Sequence, residues 1–261
     1  MSIDTPPPAP PRRRGAAFAI SVVTIVAGGF IALGTFLGTG LSAAHGMASS
    51  RWDATVGEQV SSAAESGALS SLDVQVAGAR LSIVSGDVEA PELDAATSGP
   101  NAWTFERDGD HLRVVSPTGS FIDPDSRATL TLPRGSSVAA DVRVSGGTLD
   151  VQGDFDALDL EVSGGSATVS GTARSVDLSL AGGSASVDLT DASTAALGGT
   201  TPEATRVEVT AGSADVTLPD DEYAVTTDDG VGTVDNALRT SPDAPAQVDV
   251  TATMGRVTLR S

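Results

Sequence analysis

Carboxylates are the side chains of this sequence whose number and spacing come closest to a chemical site. The chain has 34 Asp plus Glu but only two His, and it has no Cys. Acidic clusters fall in segments predicted to be turns, and calcium sites with about six to eight oxygen ligands are often built there. These clusters are Asp123 with Asp125, Asp154 with Asp156, Asp220 with Asp221 and Glu222, and Asp228 with Asp229. The calcium-binding solenoid repeat GGxGxDxUx needs a glycine that GGTLDVQGD lacks. We therefore expect solvated acidic turns and no metal site.

A second arrangement of carboxylates follows a repeat. Aspartates recur at intervals of 18 residues and a mixed row follows two positions later: Asp141, Asp159 and Asp177, then Arg143, Glu161 and Ser179. Aligned carboxylates could serve a glycan-active enzyme, but any solvent-facing strand position would show the same alignment. The chain has no Lys and only 3% aromatic residues, so a platform for stacking sugars is hard to build. We expect no catalytic residues, no cofactor and no enzymatic activity, and a solvent-exposed His111.

The charge of the chain restricts its partners. The formal net charge is −19. Binding to nucleic acid requires positive charge, so nucleic acid is not expected as a partner. The absence of Cys also excludes disulfides, thiol nucleophiles and cysteine-ligated metals.

The N-terminal quarter predicts a membrane anchor. Residues 1–14 form a Pro-rich tail that ends in Arg12, Arg13 and Arg14, and residues 15–50 contain no charged side chain. As a helix, residues 16–41 would rise roughly 39 Å, enough to cross a hydrocarbon core of about 30 Å. The three arginines favour a cytoplasmic N-terminus, so the rest of the chain would lie outside the cytoplasm. We therefore assign a tail (1–14), a transmembrane helix (15–41), a spacer (42–68) and an extracytoplasmic domain (69–261).

Two features of this segment leave alternatives open. Ser42-Ala43-Ala44 offers small residues at a plausible signal-peptide cleavage site, which would make the protein secreted. Gly34 and Gly38 form a GxxxG pair that would allow a weak homodimer through the span.

From Leu72 onward apolar and polar residues alternate, as in half-buried strands, and the pattern repeats. ADVRVSGGTLDV at 140–151, LDLEVSGGSATV at 158–169 and VDLSLAGGSASV at 176–187 are spaced by 18 residues. Further copies occupy 72–83, 206–218 and 248–259, and a weaker one lies around 224–234.

The geometry of one copy requires a turn in its middle. Val144 and Leu149 are five residues apart and would face opposite ways in one straight strand. The chain must therefore turn between them, at glycines that reach positive φ. We assign this role to Gly78, Gly146, Gly147, Gly164, Gly165, Gly182, Gly183, Gly212 and Gly255. We predict an all-β domain, a right-handed β-solenoid-like repeat in which each glycine pair is a corner. The alternative is a β-sandwich or meander of hairpins, with Val144 paired to Leu149.

The sequence resembles a family of bacterial β-strand-repeat proteins described as "putative adhesins" or as a domain of unknown function. The resemblance rests on the anchor with its basic tail, on WTFERDGDHLRVVSP at 103–117, and on TLPRGSSV leading into the SGG repeats within 130–171. It implies a β-helical or related domain at the cell envelope and brings no catalytic residues.

We therefore expect a non-catalytic surface-binding, adhesion or scaffolding protein. Its partners would be the lipid bilayer, through 16–41, and a cell-wall polymer or another envelope protein. The alternatives are an envelope-stress sensor that acts through a partner membrane protein and, more remotely, a glycan-active enzyme.

Overall fold

Alternating apolar and polar residues form strands in every repeat copy. The computed structural model describes residues 59–62 (backbone only), 68–95, 102–117, 126–190 and 201–261. All of them belong to one compact unit, Ala54–Ser261. No helix occurs among these residues, and hence none that is long and apolar enough to cross a membrane. The prediction of an all-β domain is confirmed for the described part of the chain.

The strands are β1 (Gln59–Ser62), β2 (Ser71–Gly86), β3 (Glu92–Ala95), β4 (Thr104–Asp108), β5 (His111–Val115), β6 (Arg127–Pro133), β7 (Ser137–Leu180), β8 (Ser184–Asp188), β9 (Ala204–Val209), β10 (Ser213–Thr217), β11 (Glu222–Asp229), β12 (Thr233–Asn236), β13 (Arg239–Thr240), β14 (Ala246–Ala252) and β15 (Arg256–Arg260). The predicted tail 1–14 with Arg12, Arg13 and Arg14, the span 15–41 and most of the spacer 42–68 lie outside the described residues.

Each coil of the chain supplies one strand to each of two walls that enclose a shared core. The first wall runs through β5, the start of β2, the first strand of each repeat in β7, β9, β14 and β11. The second wall runs through β6, the end of β2, the second strand of each repeat in β7, β8, β10, β15 and β12. Neighbouring strands of these walls are parallel and in register, so that Ala167 lies opposite Ala185, one 18-residue period later. The result is a curled parallel sheet, as a solenoid-like fold requires.

The hairpin alternative is wrong for these copies. Val144 pairs with Val76 in the first wall, and Leu149 pairs with Leu81 in the second wall. Both side chains are buried, because the corner at Gly146-Gly147 returns them to one interior. Backbone pairing continues through such corners, which makes β7 a single ladder of 44 residues.

The predicted turn glycines lie at these corners, and most of them have positive φ. Positive φ occurs at Gly78, Gly146, Gly147, Gly165, Gly183 and Gly212, and not at Gly164, Gly182 or Gly255. Glycines at the corners also stack against the neighbouring coil. A Cβ placed on Gly165 would lie 2.3 Å from the carbonyl oxygen of Gly147, so the backbones are too close for any side chain.

The core is thin and is built from Leu, Val and Ala. Val142, Leu149 and Leu160 are fully buried, and Ala167 and Ala185 fill the narrower positions. Burying one Leu or Val side chain stabilises the fold by about 1.5–3 kcal/mol, so stability accumulates coil by coil. Phe155 is buried at the second corner of its coil.

Two coils lie out of chain order, one at each end of the stack. The coil of β5 and β6 follows β2 in sequence but lies outside it, because β2 pairs with β5 and β6 on one side and with β7 on the other. The coil of β11 and β12 precedes β14 and β15 in sequence but lies outside them. The first and the last coil of the described chain are therefore interior coils.

Both ends of the stack carry features that oppose the addition of another complete parallel coil. At one end β4 runs antiparallel to β5, through a hairpin at Gly109-Asp110, and β3 runs antiparallel to β6. At the other end, the inward positions of the outermost coil include Thr227, Asp229 and Asn236, which are exposed. Inward-facing polar residues at a sheet edge oppose the addition of another strand.

Candidate functional site

An aligned row of carboxylates crosses the outer face of the first wall. Asp73 lies opposite Asp141 on the next strand, and Asp159 lies between Asp141 and Asp177 one coil further on. Neighbouring strands are about 4.8 Å apart, so each carboxylate has a like charge beside it on at least one neighbouring strand. We call this row the aspartate ladder: Asp73, Asp141, Asp159 and Asp177.

Arginines bracket the ladder. Arg113 lies opposite Asp73 at one end, with its Nε 4.0 Å from the Asp73 carboxylate. Arg206 lies opposite Asp177 at the other end, with Nη1 3.8 Å from that carboxylate, and Asp249 follows on the next strand. These pairs are exposed, so each contributes little stability.

The row two positions further along the strands is mixed. Arg143 bonds Asp141 on its own strand at 3.0 Å and approaches Glu161 at 3.4 Å. Gln75 lies opposite Arg143, and Ser179 lies opposite Glu208. Arg143 thus offsets charge in both rows.

Asp159 is the member of the ladder with the least compensation. Among the described residues no arginine lies within ion-pair distance of it. Partial burial raises the pKa of the Asp159 carboxyl, and the charges of Asp177 and Asp141 raise this pKa further. Arg143 acts in the opposite sense without cancelling these effects. The ladder therefore holds negative charge that the chain itself does not neutralise.

Shallow grooves lie along the ladder. One of about 350 Å³ runs past Asp159, Asp177 and Arg206. Another of about 330 Å³ runs past Asp73, Asp141 and Asp159. Small side chains such as Ala139 and Ala157 form the adjoining row, which leaves the carboxylates accessible from one side. The surface can accept a long, shallow partner that carries positive charge.

The outer face of the second wall has a different chemistry. Its outward positions in the middle coils are mostly hydroxyls, including Thr148, Ser166, Thr168, Ser170, Ser184, Ser186 and Ser213. Asp150 lies between Ser82 and Thr168, so its carboxylate has a hydroxyl side chain on the neighbouring strand where Asp159 has carboxylates. Charges of both signs occur here, as Asp150, Asp188, Asp215 and Asp235 with Arg80, Arg127, Arg256 and Arg260.

His111 is exposed, as predicted, and forms the contact most like a nucleophile–base pair. Its Nδ1 lies 2.7 Å from Ser71 Oγ. The neighbouring carboxylate of Asp110 accepts a hydrogen bond from Ser70 Oγ at 2.5 Å. A Ser-His-Asp triad needs its carboxylate on the histidine ring, and here that carboxylate is held by a different serine. These bonds tie the start of β2 to the β4–β5 turn.

The predicted acidic turns differ from expectation in two places. Asp154 is buried and accepts a hydrogen bond from Thr172 Oγ1 at 2.6 Å, because the second corner folds it under the next coil. Asp228 and Asp229 lie in β11 and not in a turn, because the weak repeat copy there forms a coil. Asp123 and Asp125 lie outside the described residues.

The remaining clusters have partners within the chain. Asp156 pairs with Arg174 at 3.0 Å, and Asp221 accepts bonds from the Glu222 backbone and from Thr201. Those bonds lower the pKa of the Asp221 carboxyl. Among the described residues no group of three or more His, Asp or Glu side chains could hold a metal ion.

The sequence repeat predicted the alignment of three aspartates of the ladder but not the residues at its two ends. The interval of 18 residues brought Asp141, Asp159 and Asp177 together. Asp73 and Asp249 occupy the same motif position in LDV and VDV, and Arg206 occupies it in TRV. That signal was present in the repeat copies, but the spatial order of the outer coils was not.

Comparisons with known proteins bear on the fold. No protein-family model matches the sequence, and no curated protein matches it. The structure is similar to that of a "putative cell adhesion protein" from Clostridium sporogenes, with a TM-score of 0.50 and 13% identity, over 78% of this chain and 98% of the other. It is also similar to a "putative adhesin" from Bacteroides fragilis, with a TM-score of 0.40 and 13% identity over the same shares. At 13% identity, the first similarity shows that the two proteins share a fold.

Proposed function

We propose that this chain is a membrane-anchored, extracytoplasmic protein with a non-catalytic adhesion role, and that the first wall is its binding face. The aspartate ladder carries this proposal, because it is an extended array of carboxylates that the neighbouring arginines compensate only in part. The shared fold with a protein named as a "putative cell adhesion protein" supports the same role.

The partner we propose is an extended polymer that bears amino groups. A ladder with strands about 4.8 Å apart offers carboxylates at regular steps, which suits repeated positive charges better than one compact cation. Each exposed ion pair contributes about 0.2–1 kcal/mol, so affinity must come from many pairs acting together. Binding should therefore weaken as salt screens the charges.

The location rests on the N-terminal sequence. An uncharged stretch long enough to cross a bilayer follows Arg12, Arg13 and Arg14, which predicts a cytoplasmic tail and an exported domain. A bilayer anchor through 16–41 would hold the domain at the envelope.

Protease treatment of intact cells tests the location. Cells would express the full chain with a C-terminal tag, and the tagged product would be sized in membrane and medium fractions. We expect protease treatment to remove the tag, while untreated cells keep the full-length tagged protein in the membrane fraction. A shortened tagged product in the medium would instead indicate a cleaved signal peptide. A tag protected even in spheroplasts would contradict the proposed orientation.

Binding of the purified full chain to glucosamine oligosaccharides tests the partner chemistry. Their N-acetylated counterparts are the matched control, since they have the same sugar backbone without the positive charge. We expect measurable binding of the amine form alone, at least 10-fold weaker after a rise in ionic strength from about 0.05 M to 0.5 M. Equal binding of both forms would exclude the ladder as the basis of recognition.

A further inference from the structure

The last coil of the chain is held on both sides in both walls. In the first wall β14 pairs with β9 through Gln247–Ala252 and with β11 through Ala246–Ala252. In the second wall β15 pairs with β10 on one side and with β12 on the other. The coil of β11 and β12, which the chain forms earlier, stacks on β14 and β15.

The outermost coil depends on this later segment. Among the described residues, the main partners of β11 and β12 are β14 and β15, and β11 has only a two-residue pairing with β13 besides. Val225 faces Val248, and Val234 faces Val257. Until residues 246–260 are in place, residues 222–236 have no coil on which to stack.

The outermost coil, formed by β11 and β12, is also poorly suited to stack directly on β9 and β10 in place of β14 and β15. The inward side chains of the last coil are apolar and buried at Val248, Val250, Ala252, Val257 and Leu259. The equivalent positions in the outermost coil include Thr227 opposite Val250 and Asn236 opposite Leu259. Polar side chains at these positions would leave the buried valines of β9 against polar groups.

We infer that residues 246–260 act as a keystone, and that the space between the coil of β9 and β10 and the coil of β11 and β12 is a binding site for this one extended segment. The segment follows a connection at 237–245 that contains Pro242 and Pro245 and in which only Leu238 is buried. Residues 222–236 can therefore take their place in the stack only after residues 246–260 have formed β14 and β15. Removing those residues should undo two coils.

The first test uses two full-length variants with matched chemistry. Val248→Ala and Val225→Ala remove the same atoms from register partners, of which Val248 is fully buried between two coils and Val225 is partly buried in the outermost coil. We expect the fall in Tm for Val248→Ala to be at least twice that for Val225→Ala. Equal falls, or a larger fall for Val225→Ala, would overturn the inference.

The second test deletes residues 246–261 from the chain and then adds them back as a separate peptide. A chain ending at 245 should show the same number of protected amides as a chain ending at 218, because residues 222–236 are unstacked in both. A fluorescent peptide of residues 246–261 should bind the 1–245 chain saturably, and a Val250→Asp peptide should bind at least 10-fold more weakly. A protected coil at 222–236 in the 1–245 chain, or equal binding of both peptides, would contradict the keystone. If the shortened chains do not fold, the two full-length valine variants decide.

Discussion

The two walls come from the same repeats, yet their outer faces differ in charge. In the first wall the residue between the buried positions is an aspartate in four consecutive strands, Asp73, Asp141, Asp159 and Asp177. In the second wall the corresponding residues are a mixture of carboxylates and hydroxyls, such as Asp150, Thr168 and Ser186. The inward rows of both walls are equally apolar and buried.

This difference shows that the fold requires the buried apolar rows but does not require a row of charges on its outer face. Parallel in-register pairing places the same repeat position of successive coils side by side. A charge that the repeat keeps at that position therefore forms a row across the wall. Like charges opposite one another destabilise a sheet, whereas hydroxyls do not. The second wall shows that the coil can be built without such a row. Repulsion between the carboxylates of the ladder destabilises the first wall without serving the fold, and for this reason we assign the binding function to that wall.

The largest effect is expected at the corner that joins the two faces. Gly165→Ala would place a Cβ 2.3 Å from the Gly147 oxygen at a φ of +88°. We expect a loss of roughly 3 kcal/mol in the free energy of unfolding, from left-handed strain and overpacking together. Urea denaturation of the full-length protein in detergent measures it.

Gly164→Ala is the control for this corner, since the nearest atom to its added Cβ is 3.7 Å away. We expect its unfolding free energy to stay within about 0.5 kcal/mol of wild type, in line with ordinary surface substitutions. Similar losses for the two variants would show that the coils do not stack through the glycine.

Two buried threonines should respond oppositely to the same substitution. Thr172 Oγ1 donates to Asp154, so Thr172→Val removes a donor from a buried carboxylate and should cost about 2 kcal/mol. Thr205 is buried in the first wall with no partner for its hydroxyl, so Thr205→Val should stabilise by about 1 kcal/mol. Thermal unfolding compares the two. A destabilised Thr205→Val would mean that this hydroxyl has a partner in solution.

The smallest effect is the pH dependence of the ladder. The pKa of Asp159 is raised in the folded state, so its contribution to stability is full below the unfolded value near 3.8 and is lost as pH rises through the folded value. Asp159→Asn should therefore stabilise the protein at pH 7 by about 0.3 kcal/mol after solvent screening, and the gain should vanish at acid pH.

Asp150→Asn provides the comparison on the second wall, where the carboxylate lies between Ser82 and Thr168. Unfolding curves recorded from acid to neutral pH should diverge from wild type only for Asp159→Asn. A pH-dependent gain of the same size for Asp150→Asn would remove the distinction between the faces.

The sequence predicted the coil but not the order of the coils. Alternation and the five-residue step from Val144 to Leu149 require a corner, so the two walls and their buried rows follow from local pattern. The positions of β5 and β14 depend on which edge a connecting segment reaches, and the repeat motif does not encode that. Asp154 was misplaced for a related reason, because its burial comes from the coil stacked above it.

The most direct test of the first wall as the binding face removes the same charge from each face. One variant carries Asp141→Asn, Asp159→Asn and Asp177→Asn, and the other carries Asp150→Asn, Asp188→Asn and Asp215→Asn. Binding of both full-length proteins to glucosamine oligosaccharides would be measured by titration at low salt. We predict a loss of roughly 10-fold or more for the first variant, equivalent to about 1.4 kcal/mol, and less than about 2-fold for the second. Equal losses for the two variants would mean that net charge, and not the ladder, governs binding, and would contradict this account.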